Sequence, residues 1–239
     1  MNDKKFMAVA PLIFALICIC AAPGQTQMQD DKDKKDPYPT MAPVEQYMME
    51  RDAEIALARS AAPVNISRDA TVLVMGRRGY DTAAEGKNGF VCLVERAWMA
   101  PFDNPEFWNP KNRSPDCYNP PAARTVLPLI KMRTEMVLAG LSKEQIIEKL
   151  KAAKAKKELL ALEPGAMAYM MSKQAYLTDQ DDHNVAHIMF FVPSTDPATW
   201  GANASQSPVL LLQQDPIAEI TTFMIPVGRW SDGTAAPYM

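Results

Sequence analysis

The sequence predicts an α+β domain with a mostly antiparallel sheet of about six strands, an N-terminal helix and an inserted helical hairpin. Two observations lead to this class. The 239 residues are 48% hydrophobic and 22% charged, which is enough apolar material to fill the core of one large domain. The helix-like and strand-like segments also come in blocks along the chain, without an internal repeat, and that order is typical of α+β proteins.

The N-terminus has the plan of a secretory signal peptide over residues 1–24. Two lysines precede an uncharged segment over residues 6–22, and the small residues Ala22 and Gly24 come just before a predicted cut at Gln25. An uncleaved membrane anchor is the alternative, because the apolar segment is close to the lower limit of spanning length. We expect cleavage, and hence an exported protein in the periplasm or outside the cell.

The chain that follows the signal peptide is predicted to divide into a linker and a domain. Residues 25–42 are rich in Asp and Lys and contain few apolar side chains, which predicts a disordered polar linker. Residues 43–239 would then form a single α+β domain. The formal net charge of -3 gives no electrostatic reason to expect a nucleic-acid partner. No later segment reaches membrane-spanning length, so we expect no membrane contact after signal cleavage.

Cys92 and Cys117 are the two cysteines that remain once the signal peptide is removed. In an oxidising compartment an even pair is expected to close, and we therefore predict a disulfide between them. The alternative is two separate thiols, with Cys92 buried in a strand as a small hydrophobic residue.

Helix and strand signals in the first half of the domain precede one long loop. We expect a helix over residues 43–60, because apolar side chains recur there every three to four residues. Residues 71–75 and 90–95 are strand-like, and the Asn-Gly pair before the second segment predicts that the two form a hairpin. Residues 100–121 carry six prolines, which exclude regular structure, and their aromatic side chains indicate a loop packed on the domain.

The second half is predicted to be a helical hairpin followed by four strands. Residues 122–139 have a helical pattern that restarts at Pro128 and stops at Gly140. Ser142 and Gln145 then form a capping box ahead of the second helix. The strands are predicted from β-rich segments between Pro, Gly or polar turns, at residues 166–171, 187–192, 209–213 and 220–227.

The polar cluster from Asp179 to His187 is the candidate metal site, and it holds both histidines of the chain. A turn that brought His183, His187 and Asp181 together would offer ligands for Zn, and the protein would then be a metal-dependent, hydrolase-like enzyme. The ordinary alternative is an acidic hairpin loop that ends in a structural histidine. We expect no cofactor, with Zn or Cu as the alternative; copper enters because the chain contains 16 methionines.

Aromatic side chains in loops and near strand ends are the candidate ligand-binding surface, namely Phe107, Trp108, Trp200 and Trp230. Such residues can build a shallow platform for a small ligand or a protein partner. They can equally be lids over the core. On this basis we expect an exported, non-catalytic domain of unknown role that binds a small ligand or a protein partner through its aromatic loops.

Catalytic signatures are few. The sequence has no Gly-x-Ser-x-Gly elbow and no dinucleotide-binding fingerprint. Glu95 would suit a general acid if it were buried, since burial raises the pKa of a carboxyl group. We expect it instead to face solvent or to pair with Arg96, Arg77 or Arg78.

Residues 88–94 (NGFVCLV), 107–111 (FWNPK) and 230–234 (WSDGT) resemble segments of uncharacterised exported proteins of bacteria. The resemblance extends over most of the chain that follows the signal peptide. It implies a bacterial, periplasmic setting, and it implies no activity, cofactor or catalytic residue.

Overall fold

The helices and strands of the chain confirm the predicted α+β class. The computed structural model describes residues 37–179 and 185–237. The α-helices in these residues are α1 (Arg51–Arg59), α2 (Val64–Ser67), α3 (Pro120–Thr125), α4 (Leu127–Leu138) and α5 (Lys143–Ala155). The strands are β1 (Thr71–Gly76), β2 (Gly79–Ala84), β3 (Val91–Glu95), β4 (Ser114–Tyr118), β5 (Met167–Met170), β6 (His187–Pro193), β7 (Leu210–Asp215) and β8 (Ile220–Pro226).

The described strands form one mixed sheet of eight, in the spatial order β2-β1-β3-β4-β5-β6-β8-β7. The prediction of about six mostly antiparallel strands was therefore wrong in the number of strands and in leaving out the parallel pair of β1 and β3. The two strands that the sequence pattern missed are β2 and β4. β2 carries few large apolar residues, and β4 contains Pro115, a residue type that argues against a strand.

The predicted hairpin between the first two strand-like segments is also wrong. β1 turns directly into β2 through Arg77 and Arg78, so β2 takes the antiparallel position beside β1. The chain then crosses back and β3 enters parallel to β1 on the other side. The crossing passes close to the start of β1, where a Cβ on Gly86 would lie 2.1 Å from the backbone nitrogen of Thr71. Only glycine allows this approach.

The helices follow the predicted caps closely. The first helical segment is interrupted, because a short 3-10 turn at Val44–Gln46 precedes α1 and the buried Tyr47 lies between them. α4 restarts with Pro128 in its first turn, and Gly140 adopts a left-handed conformation after its end. The capping box that opens α5 is present with both of its hydrogen bonds.

The two faces of the sheet are covered by different elements. On one face α1 packs over β1, β3 and β4, around a cluster that includes Leu57, Val72 and Val94. The predicted disulfide between Cys92 and Cys117 lies in this cluster, where it joins directly opposed residues of β3 and β4. The opposite face packs against a larger cluster to which α4, α5 and the proline-rich loop contribute.

The signal peptide predicted over residues 1–24 lies outside the described residues, as does the linker up to residue 36. From residue 37 the predicted linker contacts the domain, with Tyr38, Met41 and Ala42 packed against the larger cluster. In the part of the chain that the structure describes, each helix is too short or too polar to cross a membrane.

Candidate functional site

A cavity of about 570 Å³ lies between the sheet and α4. One wall is the sheet face opposite to α1, formed by β3 to β8. The other wall consists of α4 together with the start of the proline-rich loop. We call this space the cavity and its sheet side the floor.

Strand alternation decides which side chains reach the floor. Val94 and Cys117 face α1, so their neighbours Glu95, Asp116 and Tyr118 face the cavity. Asp116 is paired with Leu93 in the register of β3 and β4, which makes Glu95 and Asp116 diagonal neighbours on the floor. Two carboxyl groups therefore share one buried surface.

Glu95 is buried and accepts a hydrogen bond from the Tyr118 hydroxyl. Burial raises the pKa of Glu95 to about 7, although the Tyr118 hydrogen bond and the charge of Arg133 act in the opposite direction. The expectation that Glu95 faces solvent or pairs with a neighbouring arginine was therefore wrong. Arg96, the next residue, pairs with Glu54 of α1 instead.

Asp116 is a buried carboxyl group of the floor, and few contacts offset the cost of its burial. It is 1% exposed, and its Oδ1 has no hydrogen-bond partner among the described residues. Burial raises the pKa of Asp116 well above its ordinary value, and the neighbouring Glu95 raises it further. Both effects favour the neutral form of the Asp116 carboxyl group.

Arg133 brings a positive charge to the cavity from α4. Its guanidinium lies 4.0 Å from the ring centre of Phe102 and 5.3 Å from that of Phe107, and it donates to the Ala100 carbonyl. Within residues 37–179 and 185–237 it forms no ion pair closer than 4.0 Å, and its Nε is unpartnered. Burial lowers the pKa of Arg133 to about 10, with Asp215 and Glu95 acting against this.

His187 opens β6 opposite Met170 of β5 and lines the cavity floor. Its Nδ1 lies 2.6 Å from the Val185 carbonyl oxygen, which can only accept, so Nδ1 carries the hydrogen. Burial lowers the pKa of His187, which favours the neutral ring. Its Nε2 is a buried acceptor with no partner in the described part of the chain.

Methionines supply much of the apolar surface of the cavity. Met99, Met170, Met189 and Met224 all line it, beside Ile130. Because the methionine side chain is flexible and polarisable, such a surface adapts to ligands of different shape.

The predicted metal site is only partly within the described residues. Asp181 and His183 lie outside them, and His187 is in the cavity as stated above. Asp179 is exposed and has a different environment, where it accepts hydrogen bonds from Tyr38, Tyr176 and the Lys111 ammonium. The described residues contain no group of three or more His, Cys, Asp or Glu side chains placed to hold a metal ion.

The four predicted aromatic residues lie in three different places. Phe107 and Trp108 are buried in the larger cluster and pack edge to face. Trp200 is 46% exposed and stacks on Phe223. Trp230 packs beside a small cluster that includes Met171.

The cavity residues that sequence reasoning missed are Asp116, Tyr118 and Arg133. One available signal could have found the first two. Although a bond from Cys92 to a loop would satisfy the same geometry, the predicted disulfide is compatible with a strand at Cys117 that pairs beside the strand of Cys92. Alternation from Cys117 would then have placed Asp116 and Tyr118 together on the opposite face. No protein-family model, curated protein or solved structure matches this chain, so the site is defined by its geometry.

Proposed function

We propose that this protein binds a small, mainly apolar organic molecule in the cavity, in the periplasm or outside the cell. The observation that carries the proposal is the cavity together with three residues of its lining, Asp116, Arg133 and His187, each of which has one buried polar atom without a hydrogen-bond partner among the described residues. A buried polar atom without a hydrogen bond costs about 1–3 kcal/mol. A ligand that supplies the missing hydrogen bonds recovers this cost.

The shape of the cavity supports the same function. Its volume of about 570 Å³ lies within the range of small-molecule sites, which are mostly apolar with a few polar groups that orient the ligand. Asp116, Arg133 and His187 are nearly inaccessible to solvent, whereas the lining residue Leu212 is 47% exposed. The exposed Leu212 therefore marks a side of the cavity from which a ligand can enter.

This proposal keeps the small ligand expected from the sequence and moves it from the aromatic loops to the cavity. Phe107 then contributes indirectly, because its ring is one of the two against which the Arg133 guanidinium packs. Trp200 and Trp230 do not line the cavity.

The test is a fluorescence titration with Nile red, a neutral apolar dye that brightens on leaving water. The blocking variant is Thr222→Trp, which puts a large ring on the floor at a position opposite Phe191. The matched control is Ile225→Trp, which adds the same ring to the same strand on the other face. We expect the dye to bind the parent protein and the control, and to lose at least about tenfold in affinity with Thr222→Trp.

Circular dichroism and thermal unfolding of both variants accompany the titration. The proposal is wrong if a folded parent protein does not bind the dye. It is also wrong if folded Thr222→Trp binds the dye as the parent does.

A metal-dependent, hydrolase-like enzyme is the second candidate, and one observation favours it. The Val185 carbonyl holds the His187 ring in the tautomer that leaves the Nε2 lone pair available for a metal. This candidate requires His183 and Asp181 as further ligands. Native mass spectrometry after addition of Zn or Cu should then show one bound ion that is lost in His187→Ala, and a protein that stays metal-free would exclude it.

A further inference from the structure

Arg133 and Asp116 lie on opposite walls of the cavity and differ in how far their surroundings stabilise a charge. Arg133 has two aromatic rings beneath its guanidinium, a carbonyl acceptor, and the attraction of Asp215 and Glu95. Asp116 has no comparable support. Its neighbouring charged group is Glu95, which is also acidic and therefore disfavours ionisation of Asp116.

His187 is the second residue of the floor with a buried polar atom that has no partner among the described residues. The Nε2 of His187 can only accept a hydrogen bond, since the ring hydrogen is used by Nδ1. The floor therefore presents one acceptor, His187 Nε2, and two carboxyl groups, Glu95 and Asp116, which accept hydrogen bonds from a cation when they are ionised. A positively charged hydrogen-bond donor fits all three groups.

We propose that the ligand is a small apolar amine, bound as its ammonium ion with Asp116 as the counter-ion. This inference rests on the proposed function, because it names the chemical class of the molecule that the cavity takes. The ammonium group would lie on the floor beside Asp116, and its apolar body would lie against the methionines and Ile130. Three N–H donors allow the ammonium group to satisfy Asp116 and further acceptors of the floor.

Charge balance follows from this arrangement. In the empty cavity, burial and the neighbouring Glu95 favour the neutral form of Asp116, and the positive Arg133 is attracted by both Asp215 and Glu95. When the ammonium ion binds, Asp116 loses its proton to solvent and becomes a carboxylate. The ammonium ion and the Asp116 carboxylate together then add no net charge to the cavity. Binding of each amine therefore releases about one proton.

The experiment is isothermal titration calorimetry with three matched probes that share a phenyl ring and a two-carbon chain: phenethylamine, phenethyl alcohol and hydrocinnamate. Titrations near neutral pH are made in phosphate and in Tris, whose ionisation enthalpies differ. We expect the amine to bind at least about tenfold more tightly than the alcohol, and the anion to bind most weakly. The difference in enthalpy between the buffers should correspond to the release of about one proton.

The variant is Asp116→Asn, which keeps the size of the side chain and removes its ionisation. It should lower the affinity for phenethylamine by at least about tenfold, leave that for phenethyl alcohol nearly unchanged, and abolish proton release. The matched control is Asp81→Asn, at an exposed position of β2 away from the cavity. The control should behave as the parent protein in every titration.

The outcomes separate this inference from the proposed function. If Nile red binds but the alcohol or the anion binds as tightly as the amine, or no proton is released, the amine assignment is wrong and the cavity remains a binding site. Unchanged amine selectivity in Asp116→Asn would show that Asp116 is not the counter-ion. If neither Nile red nor any of the three probes binds, the proposed function itself fails. The proton count is measured on the parent protein, so it does not depend on the variant folding.

Discussion

Arg96 and Glu54 form a fully buried ion pair, with 2.8 Å between the arginine Nη2 and the glutamate Oε1. Glu54 also accepts from the backbone nitrogen of Met75, and Arg96 donates to the carbonyl oxygens of Tyr47 and Val94. The pair thus joins α1 to β1 and to the end of β3. Because Arg96 follows Glu95 in the chain, the same contacts fix the point at which Glu95 enters the cavity.

Removing one partner of this pair should be costly. Glu54→Gln keeps the shape of the side chain but leaves the Arg96 charge buried without a counter-ion, so we expect the free energy of unfolding to fall by about 3–5 kcal/mol. Urea unfolding followed by circular dichroism measures the change. The control is Glu45→Gln, whose partner Arg77 is exposed, and it should unfold as the parent does. Equal stability of the two variants would show that the buried pair adds nothing.

The carboxyl groups of the cavity floor should make stability depend on pH. The pKa of Glu95 is about 7 in the native protein against an ordinary value of 4.5, so the native state keeps a proton that the unfolded chain has lost. The free energy of unfolding therefore falls as pH rises from about 4.5 through 7. Asp116, whose pKa is also raised, acts in the same direction.

Comparison of Glu95→Gln with the parent isolates this contribution from that of other groups. In urea unfolding, the free energy of unfolding of Glu95→Gln relative to that of the parent should rise by about 3 kcal/mol between pH 4 and pH 8. This rise follows from about 1.4 kcal/mol for each pKa unit. Glu163→Gln is the control of opposite sign, because the hydrogen bond from Arg124 lowers the pKa of Glu163. A constant difference between Glu95→Gln and the parent would mean that Glu95 ionises normally.

The disulfide should contribute to stability because it closes a loop and so restricts the unfolded chain. Cys92 and Cys117 are 25 residues apart in sequence, and cross-linking a loop of that size stabilises a protein by about 3–4 kcal/mol in the chain-entropy model. The double variant Cys92→Ala/Cys117→Ala should lose that amount in urea unfolding. Since Cys92 and Cys117 are fully buried, the protein without residues 1–24, which contain Cys18 and Cys20, should react with a thiol-specific reagent only after unfolding and reduction. Labelling of that protein after unfolding without reduction would contradict the disulfide.

The aromatic residues singled out in the sequence should separate into two classes. Trp108 is 7% exposed, and Trp108→Ala should lower the free energy of unfolding by about 3–5 kcal/mol. Trp200 is 46% exposed with one stacking partner, and Trp200→Ala should cost about 1 kcal/mol or less. Chemical denaturation measures both. A large loss of ligand binding in a stable Trp200→Ala variant would restore the aromatic surface as the binding site.

Local chemistry explains which parts of the fold could be predicted. The capping box of Ser142 and Gln145 and the helix stop at Gly140 involve residues within a few positions of one another, so the sequence displays them directly. The restart of α4 at Pro128 has the same origin, because proline lacks the backbone donor that a helix interior needs. The disulfide was predictable because only two cysteines, Cys92 and Cys117, follow residue 24.

The parallel pairing of β1 with β3 and the composition of the cavity were decided by the tertiary structure. Asp116, Arg133 and His187 belong to three different elements and come together only because β4, β6 and α4 enclose one space. Their unusual pKa values arise from burial, which no residue carries in its own identity. By itself, the sequence determined the α+β class, the helix ends and the disulfide. The tertiary structure decided the environment of Asp116, because burial removed the water that would otherwise solvate its charge.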